Sequence, residues 1–482
     1  MYNVFEYKTE KFVLKCRKEK TKKLRNKRKM KGDFVMKIMM LSWEYPPRIV
    51  GGIARVVHDL SHMFTKQGHE VHVITYQEGD TKEFERDGDV YVHRVTNYPI
   101  NANNFIDWVM QLNFCMVEKA ADVIKEYGKF NVLHAHDWLV AYAARAIKRT
   151  YKLPMVATIH ATESGRNRGI HNQSQGYVND VEWMLTYEAS QVICNSMYMK
   201  NEIKNLFGKP LEDVHVVPNG INVNKFDGKE RDWEFRRNYA ADYEKIIFFA
   251  GRIVNEKGIQ VLLNAAPKIL ANYPNVKFVI AGRGPCMEEL QGLTKYLGLE
   301  QKVYFTGYLN DVQITKMYKA IDIATFPSLY EPFGIVALEG MLAGAATVVS
   351  DSGGLNEIVS HRIDGMKSYA GNPNSLADSI LECLYDEQLC TQMAKKAHEK
   401  VVKEFNWDTI SKKTMDVYKA AIKMSKAQEK SRVKLESLAN NESLGTATEV
   451  NGKDTTITPH TSDKEINALH NPLKQKLVKG NA

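Results

Sequence analysis

Short apolar runs recur along the chain, each closed by glycine, proline or polar residues and followed by loop or helix signals. The first, Lys37-Ile-Met-Met-Leu-Ser42, passes through a glycine-rich loop, Trp43 to Gly52, into a helix expected from about Ile53 to Gln67 and then a strand at Val71-His-Val-Ile-Thr75. Further strands are expected at Val132-Leu-His134, Met155-Val-Ala-Thr-Ile159, Gln191-Val-Ile-Cys194 and His215-Val-Val217. A second series begins at Ile246-Ile-Phe-Phe-Ala250 and continues through Val276-Lys-Phe-Val-Ile280, Val303-Tyr-Phe305, Ile321 to Phe326 and Thr347-Val-Val-Ser350. Alternation of strand and helix builds a parallel sheet with helices on both faces. The expected fold is α/β, with two tandem Rossmann-like, doubly wound domains facing a cleft.

Charge and composition set the limits of these domains. The 482 residues carry a formal charge of +9, and residues 1–35 hold 13 Lys and Arg against four acids, which accounts for all of it. Residues 1–35 therefore read as a basic N-terminal extension, solvated or touching RNA or an anionic surface, while the neutral body gives no reason to expect a nucleic-acid partner. Residues 36–226 and 227–405 are the two domains, joined through the turn-rich Pro218-Asn-Gly-Ile-Asn-Val223 and a polar stretch from Asp227 to Asp242. A helical segment follows at 406–425, and 426–482, rich in Ser, Thr, Asn, Lys and Glu, reads as a disordered tail. No run approaches the ~18 apolar residues of a spanning helix, and no signal-peptide core opens the chain, so a cytoplasmic location is expected. The six cysteines are scattered without a C-x-x-C pair, which points to neither a disulfide framework nor a zinc site. Oligomeric state is left open.

Ligands of doubly wound sheets bind beyond the carboxyl ends of the strands, so the loops there are where chemistry is sought. Glu331-Pro-Phe-Gly-Ile-Val-Ala-Leu-Glu339 sets two carboxylates eight residues apart around the start of a helix expected at Ile335 to Leu342. The free amides and dipole of such a helix end favour phosphate. Glu331 lies in the loop and Glu339 about two turns in, so one acid can face a sugar and the other a ribose; spacing alone equally fits two exposed acids. Gly51-Gly52 lets backbone amides approach a diphosphate or sugar, or makes a plain turn. Arg252 and Lys257, five apart across a glycine-flanked turn, can clamp a diphosphate, Arg by its planar fork and Lys as a point charge. Gly282-Arg-Gly-Pro285 and Asp351-Ser-Gly353-Gly354 are further strand-to-helix loops, and Phe305-Thr-Gly307-Tyr308 places an aromatic ring where a base could stack.

In the first domain, His134-Ala-His136-Asp137-Trp138 ends one strand and Thr158-Ile-His160 the next. A metal is not expected at the former, on the reading that strand alternation splits its three candidate ligands across faces; Asp137 fits a polar sugar contact better. The only D-x-D, Asp87-Gly-Asp89, reads as a hairpin turn, so metal-bound diphosphate is not indicated. Neither a Walker A sequence nor a G-x-S-x-G elbow occurs, which argues against an NTPase and a serine hydrolase.

Taken together, Tyr-Pro-Pro with Gly51-Gly52, His-Ala-His-Asp-Trp, Thr-Ile-His160, Val-Pro-Asn-Gly, Gly-Arg252 with Lys257-Gly, the paired glutamates and Ser-Gly-Gly-Leu-Asn-Glu resemble the retaining glycosyltransferases of GT-B fold, family four, and within their reach the starch and glycogen synthases. The resemblance covers about residues 36–424. It implies an acceptor-side first domain, a donor-side second domain, and a C-terminal helix that crosses back to the first. It further implies that Arg252 and Lys257 bind the donor diphosphate, that Glu339 holds the ribose and that Glu331 contacts the transferred sugar. His160 would sit at the reaction centre, Gly51 and Gly52 would close over the phosphates, and Asp137 would orient sugar or acceptor. No cofactor is implied, since the nucleotide sugar is itself the substrate. Glucan synthases carry a Lys before Thr-Gly-Gly-Leu in the first loop, whereas this chain has Arg48-Ile-Val-Gly-Gly. Transfer of glucose from UDP- or ADP-glucose to an α-1,4-glucan is the leading expectation, with a different glycan, lipid or small-sugar acceptor as the alternative and a sugar-nucleotide epimerase further off.

Overall fold

The computed structural model describes residues 35–445, and the expectations for residues 1–34 and 446–482 lie outside them. In strand β1 (Lys37–Leu41) every residue is buried, because alternate side chains enter different cores. Ile38 and Met40 pack with Val57 and Phe64, while Met39 and Leu41 pack with Leu112 and Ala157. The next strands are β2 (Glu70–Tyr76), β3 (Phe84–Asp87), β4 (Val90–Val95), β5 (Val132–His136), β6 (Met155–Ile159), β7 (Gln191–Cys194) and β8 (Val214–Val216). They form one sheet in the order β3-β4-β2-β1-β5-β6-β7-β8, parallel except for the β3–β4 hairpin.

The second sheet comprises β9 (Lys245–Ala250), β10 (Val276–Ala281), β11 (Val303–Gly307), β12 (Ile323–Phe326), β13 (Ala346–Ser350) and β14 (Met366–Ser368). It is parallel throughout, in the order β11-β10-β9-β12-β13-β14. Phe248 and Ile246 face one core, Phe249 and Ile247 the other. In both sheets the chain reverses its direction of winding beside the first strand, between β1 and β5 and between β9 and β12. Ligands settle at such switch points, and the loops leaving these four strands are those singled out from the sequence.

Three expectations need correction. The polar stretch from Asp227 to Asp242 is docked on the second domain rather than free: Arg236 is 1 % exposed and donates to the carbonyls of Ala320, Ala241 and Glu244 and to the Asp322 carboxylate. A charged side chain that saturates buried carbonyls reads in sequence as a solvated one. The helix that starts at Trp407 continues to Gly445, so residues 426–445 are helical where composition had pointed to disorder; the straight-chain Gln, Glu, Lys and Arg residues there are strong helix formers. Finally, His134 and His136 lie two residues apart on one strand and therefore share a face, with ring centroids 4.0 Å apart.

The helix from Trp407 leaves the second domain and packs on the first. Trp407, Ile410, Tyr418 and Ala421 join the core of Val57 and Phe64, and Ser411 accepts a hydrogen bond from Gln67 (2.7 Å). Among the described residues, no helix is long and apolar enough to cross a membrane.

Candidate active site

The segment after β12 runs as a tight loop into the helix Ile335–Ala343, whose ends are set by Gly334 and Gly344 in left-handed conformations. Glu331 and Glu339 are each only 6 % exposed, which removes the reading of two solvated acids. Glu331 receives the ammonium of Lys257 at 2.7 Å and the Ser328 hydroxyl at 3.2 Å. Glu339, on the second turn of the helix, is paired with Lys225 from the interdomain connection and with Arg55 (3.4 Å) from the first-domain helix Gly52–Lys66.

Three loops of the second domain are zipped into one platform by backbone. The amide of Leu329 donates to Glu256 (2.8 Å) and that of Gly354 to Glu331 (2.8 Å). Glycine is required at both seams. A Cβ on Gly258, at φ +70°, would stand 1.9 Å from the Pro327 carbonyl, and one on Gly353, at φ +52°, 2.2 Å from that of Glu331. Arg252 has half its side chain in solvent, 3.5 Å from Glu256. Tyr308 is 55 % exposed with Arg283 over its ring, at the margin rather than within the platform.

The facing wall is the end of β5 and β6. Asp137 holds a left-handed backbone (φ 61°), a strained state for a non-glycine residue. Its Oδ1 accepts the His160 amide at 2.8 Å. The His160 Nε2 meets His136 Nδ1 at 3.2 Å, and His134 bridges Tyr418 and Thr158, both at 2.7 Å. Burial holds all three rings neutral: it lowers His134 to about 3 and depresses His136 and His160 as well. His160 can therefore exchange hydrogen bonds but does not bring a positive charge.

Two buried carboxylates were passed over by sequence reading, one in the first loop and one on a first-domain helix. Glu44, 1 % exposed, accepts the amides of Val50 (2.6 Å) and Gly51 (2.9 Å), so an internal carboxylate lies against the glycine pair expected to meet phosphate. Burial raises its pKa. Glu182, on the helix Gln173–Glu188, accepts the Glu163 amide with both oxygens, and burial pushes it up to about 8. Neither is flagged by a motif, because only the tertiary fold buries them. Arg48 stands over Trp43 (5.0 Å) and Tyr76 (5.1 Å) and pairs with Glu78.

The two walls touch. Thr162, just beyond His160, gives its amide to the hydroxyl of Tyr330 (3.3 Å), just before Glu331; Tyr330 in turn donates to Glu202 (2.9 Å). Ser196 donates to the Pro332 carbonyl (2.7 Å), and Gly52 lies close under Ile335. Glu357 of the second domain caps the first-domain helix Met197–Phe207, accepting the amides of Met197 (2.8 Å) and Tyr198 (2.7 Å). A carboxylate on two helix-end amides is a charge-assisted latch between the domains. Replacing Glu357 with Ala is expected to increase the radius of gyration measured by small-angle scattering and to lower kcat about tenfold, on the scale of hydrogen bonds to a charged group. An unchanged scattering profile would remove the latch.

The family profile described as "Glycosyl transferases group 1" matches residues 231–400, and that described as "Glycosyltransferase Family 4" matches 50–225. An uncharacterized glycosyltransferase of Methanocaldococcus jannaschii is 40% identical over 394 residues, 81% of this chain and 99% of that protein. The glycogen synthase of Mycobacterium tuberculosis is 32% identical over 401 residues, 80% of this chain and 95% of that protein. Among solved structures, the sucrose-phosphate synthase from Thermosynechococcus elongatus superposes with a TM-score of 0.69 at 22% identity, over 80% of this chain and 98% of that one.

Proposed function

The chain belongs to the group 1, family 4 glycosyltransferases and has their GT-B fold, and on that premise we propose that it moves glucose from UDP- or ADP-glucose to a growing α-1,4-glucan with retention of configuration. The observation that carries this reading is the buried Lys257–Glu331 pair on the platform beneath the helix Ile335–Ala343, stitched through Tyr330 to the segment after His160. A cation next to the position of a leaving diphosphate stabilises charge as it develops, and a carboxylate beside it can hold a sugar hydroxyl. Arg252, exposed at the edge, is free to close on the phosphates. Gly51, Gly52, Gly353 and Gly354 let backbone approach the donor. Glu339 is the ribose contact, with Lys225 and Arg55 holding its carboxylate in place.

His160 and Asp137 act from the acceptor side. With His160 neutral, it orients the sugar by hydrogen bonding, and the proton of the attacking hydroxyl passes to the departing phosphate on the same face. Catalysis is then positioning plus leaving-group stabilisation, and no protein nucleophile is required. The similarity to a mycobacterial glycogen synthase supports the glucan acceptor. The engagement of Arg48, which stands in the loop where glucan synthases carry a Lys, with Trp43, Tyr76 and Glu78 favours a second reading in which the acceptor is a different glycan, lipid or small sugar.

Purified protein supplied with UDP- or ADP-glucose and short α-1,4-glucan oligosaccharides is expected to release nucleotide and lengthen the oligosaccharide. Nucleotide release without elongation would overturn the acceptor and leave the donor; silence with both donors would overturn the sugar.

A further inference from the structure

One cluster of metal-binding side chains lies apart from the residues assigned to the transfer reaction. His58 and His62 stand one turn apart on the helix Gly52–Lys66, and the β3–β4 hairpin brings Asp87 against them. The Asp87 carboxylate is divided between the rings: Oδ2 is 3.4 Å from His58 Nε2 and Oδ1 is 3.4 Å from His62 Nε2. One ligand atom from each of the three residues lies within 4.8 Å of the other two. The hairpin turns at Gly88, whose φ of +56° favours glycine.

The far side of each ring fixes its proton. His58 Nδ1 faces the Asp59 carboxylate at 2.8 Å, and His62 Nδ1 faces the carbonyl of His58 at 2.9 Å. Both partners are acceptors only, so both rings carry hydrogen on Nδ1, and in the neutral rings the two Nε2 lone pairs converge on a carboxylate. Three electron-rich groups pointed at one another require positive charge between them. Protons on both rings would also supply it, at charge-assisted N–H···O contacts of about 2.7–2.9 Å; the contacts here are 3.4 Å. In a tetrahedral zinc site with bonds near 2.0–2.1 Å, adjacent ligand atoms stand about 3.3 Å apart, close to the 3.4 Å that separates each ring nitrogen from its carboxylate oxygen. The outer partners are those of a metal-bound histidine, a carboxylate behind one ring and a backbone carbonyl behind the other. His58 and His62 keep roughly a third and a quarter of their side chains in solvent, so an ion has a route in.

We propose that His58, His62 and Asp87 form a site for a divalent transition-metal ion, zinc by the chemistry of its two imidazoles and one carboxylate, with solvent as the fourth ligand. The ion has a structural role. Tyr45 of the first loop donates to Asp87 Oδ2 (2.9 Å), and Asp59 accepts the indole N–H of Trp407 (2.9 Å) at the start of the C-terminal helix. A metal here therefore pins the first loop and the crossover helix to the same helix face.

The test uses the untagged full chain stripped with a chelator. Calorimetric titration with Zn2+ is expected to give one ion per chain, and Co2+ to give the visible absorption of a tetrahedral site without thiolate charge-transfer bands. His62→Ala and Asp87→Asn are expected to weaken binding at least tenfold while the far-UV circular dichroism is retained. Should a variant fail to fold, Zn2+ is expected to protect His58 and His62 of the unmodified chain from diethylpyrocarbonate, read by peptide mapping. Absence of binding at micromolar Zn2+, equal binding by the folded variants, or unprotected histidines in the zinc-loaded protein would each overturn the site and leave a doubly protonated histidine pair.

Discussion

Lys257→Ala is expected to lower kcat/KM for the nucleotide sugar about 100- to 1,000-fold, the scale of removing one preorganised donor from a developing anion. Its ammonium is 2.7 Å from Glu331 Oε2, in a place where both side chains are largely buried. Charge in such a site is weakly screened, so a lysine here acts more strongly on a departing diphosphate than one in water would. The substitution also leaves Glu331, among the described residues, with the Ser328 hydroxyl alone, and an uncompensated buried carboxylate destabilises the fold. The two effects separate experimentally. In Lys257→Ala combined with Glu331→Gln, the stranded charge is gone and the melting temperature is expected to recover, while nucleotide affinity and turnover remain below those of Glu331→Gln alone. Recovery of activity along with stability would show that Lys257 only neutralises Glu331 and does not act on the donor. Unchanged turnover in the single variant would remove it from the site altogether.

What the sequence disclosed follows from which physical signals are local. The strands at Met155–Ile159 and Gln191–Cys194 are found where the apolar pattern placed them, because burial on both faces demands an unbroken run. The β3 strand, Phe-Glu-Arg-Asp, is half buried throughout and offers no such run; only its turn, Asp87-Gly-Asp89, was legible. The paired glutamates were visible as spacing, yet their partners come from far along the chain: Lys257 for Glu331, Arg55 and Lys225 for Glu339. Glu44 and Glu182 were illegible for the same reason, since a carboxylate gives no local sign that the fold will bury it. The two histidines at 58 and 62 were a signal that could have been read, spaced for one helix face, but the aspartate that gives them meaning arrives on a hairpin.

Acidification is expected to destabilise the protein, in part through the three buried histidines at the ends of β5 and β6. Burial holds His134 at about 3 and depresses His136 and His160, against an ordinary value of about 6.5. In the unfolded chain all three rings take up protons as the pH falls through about 6.5, whereas the folded rings resist down to their lowered values. Stability is therefore full above that range and lost as the pH falls, at a limiting rate of about 4 kcal/mol per pH unit for three protons. Glu182 works in the opposite sense. Raised to about 8, it keeps a proton in the fold that the unfolded chain releases above about 4.5, so between those values it offsets one of the three. Unfolding in urea at pH 5.5, followed with a pH-stat, is expected to consume protons, and His136→Asn to consume about one fewer. Equal uptake by His136→Asn and the unmodified chain would mean that the His136 ring is charged in the fold. A charged His160 could not serve as a neutral hydrogen-bond partner of the sugar, so the same measurement bears on the chemistry. The burial that makes the wall acid-sensitive is also what keeps His160 uncharged for the role proposed for it.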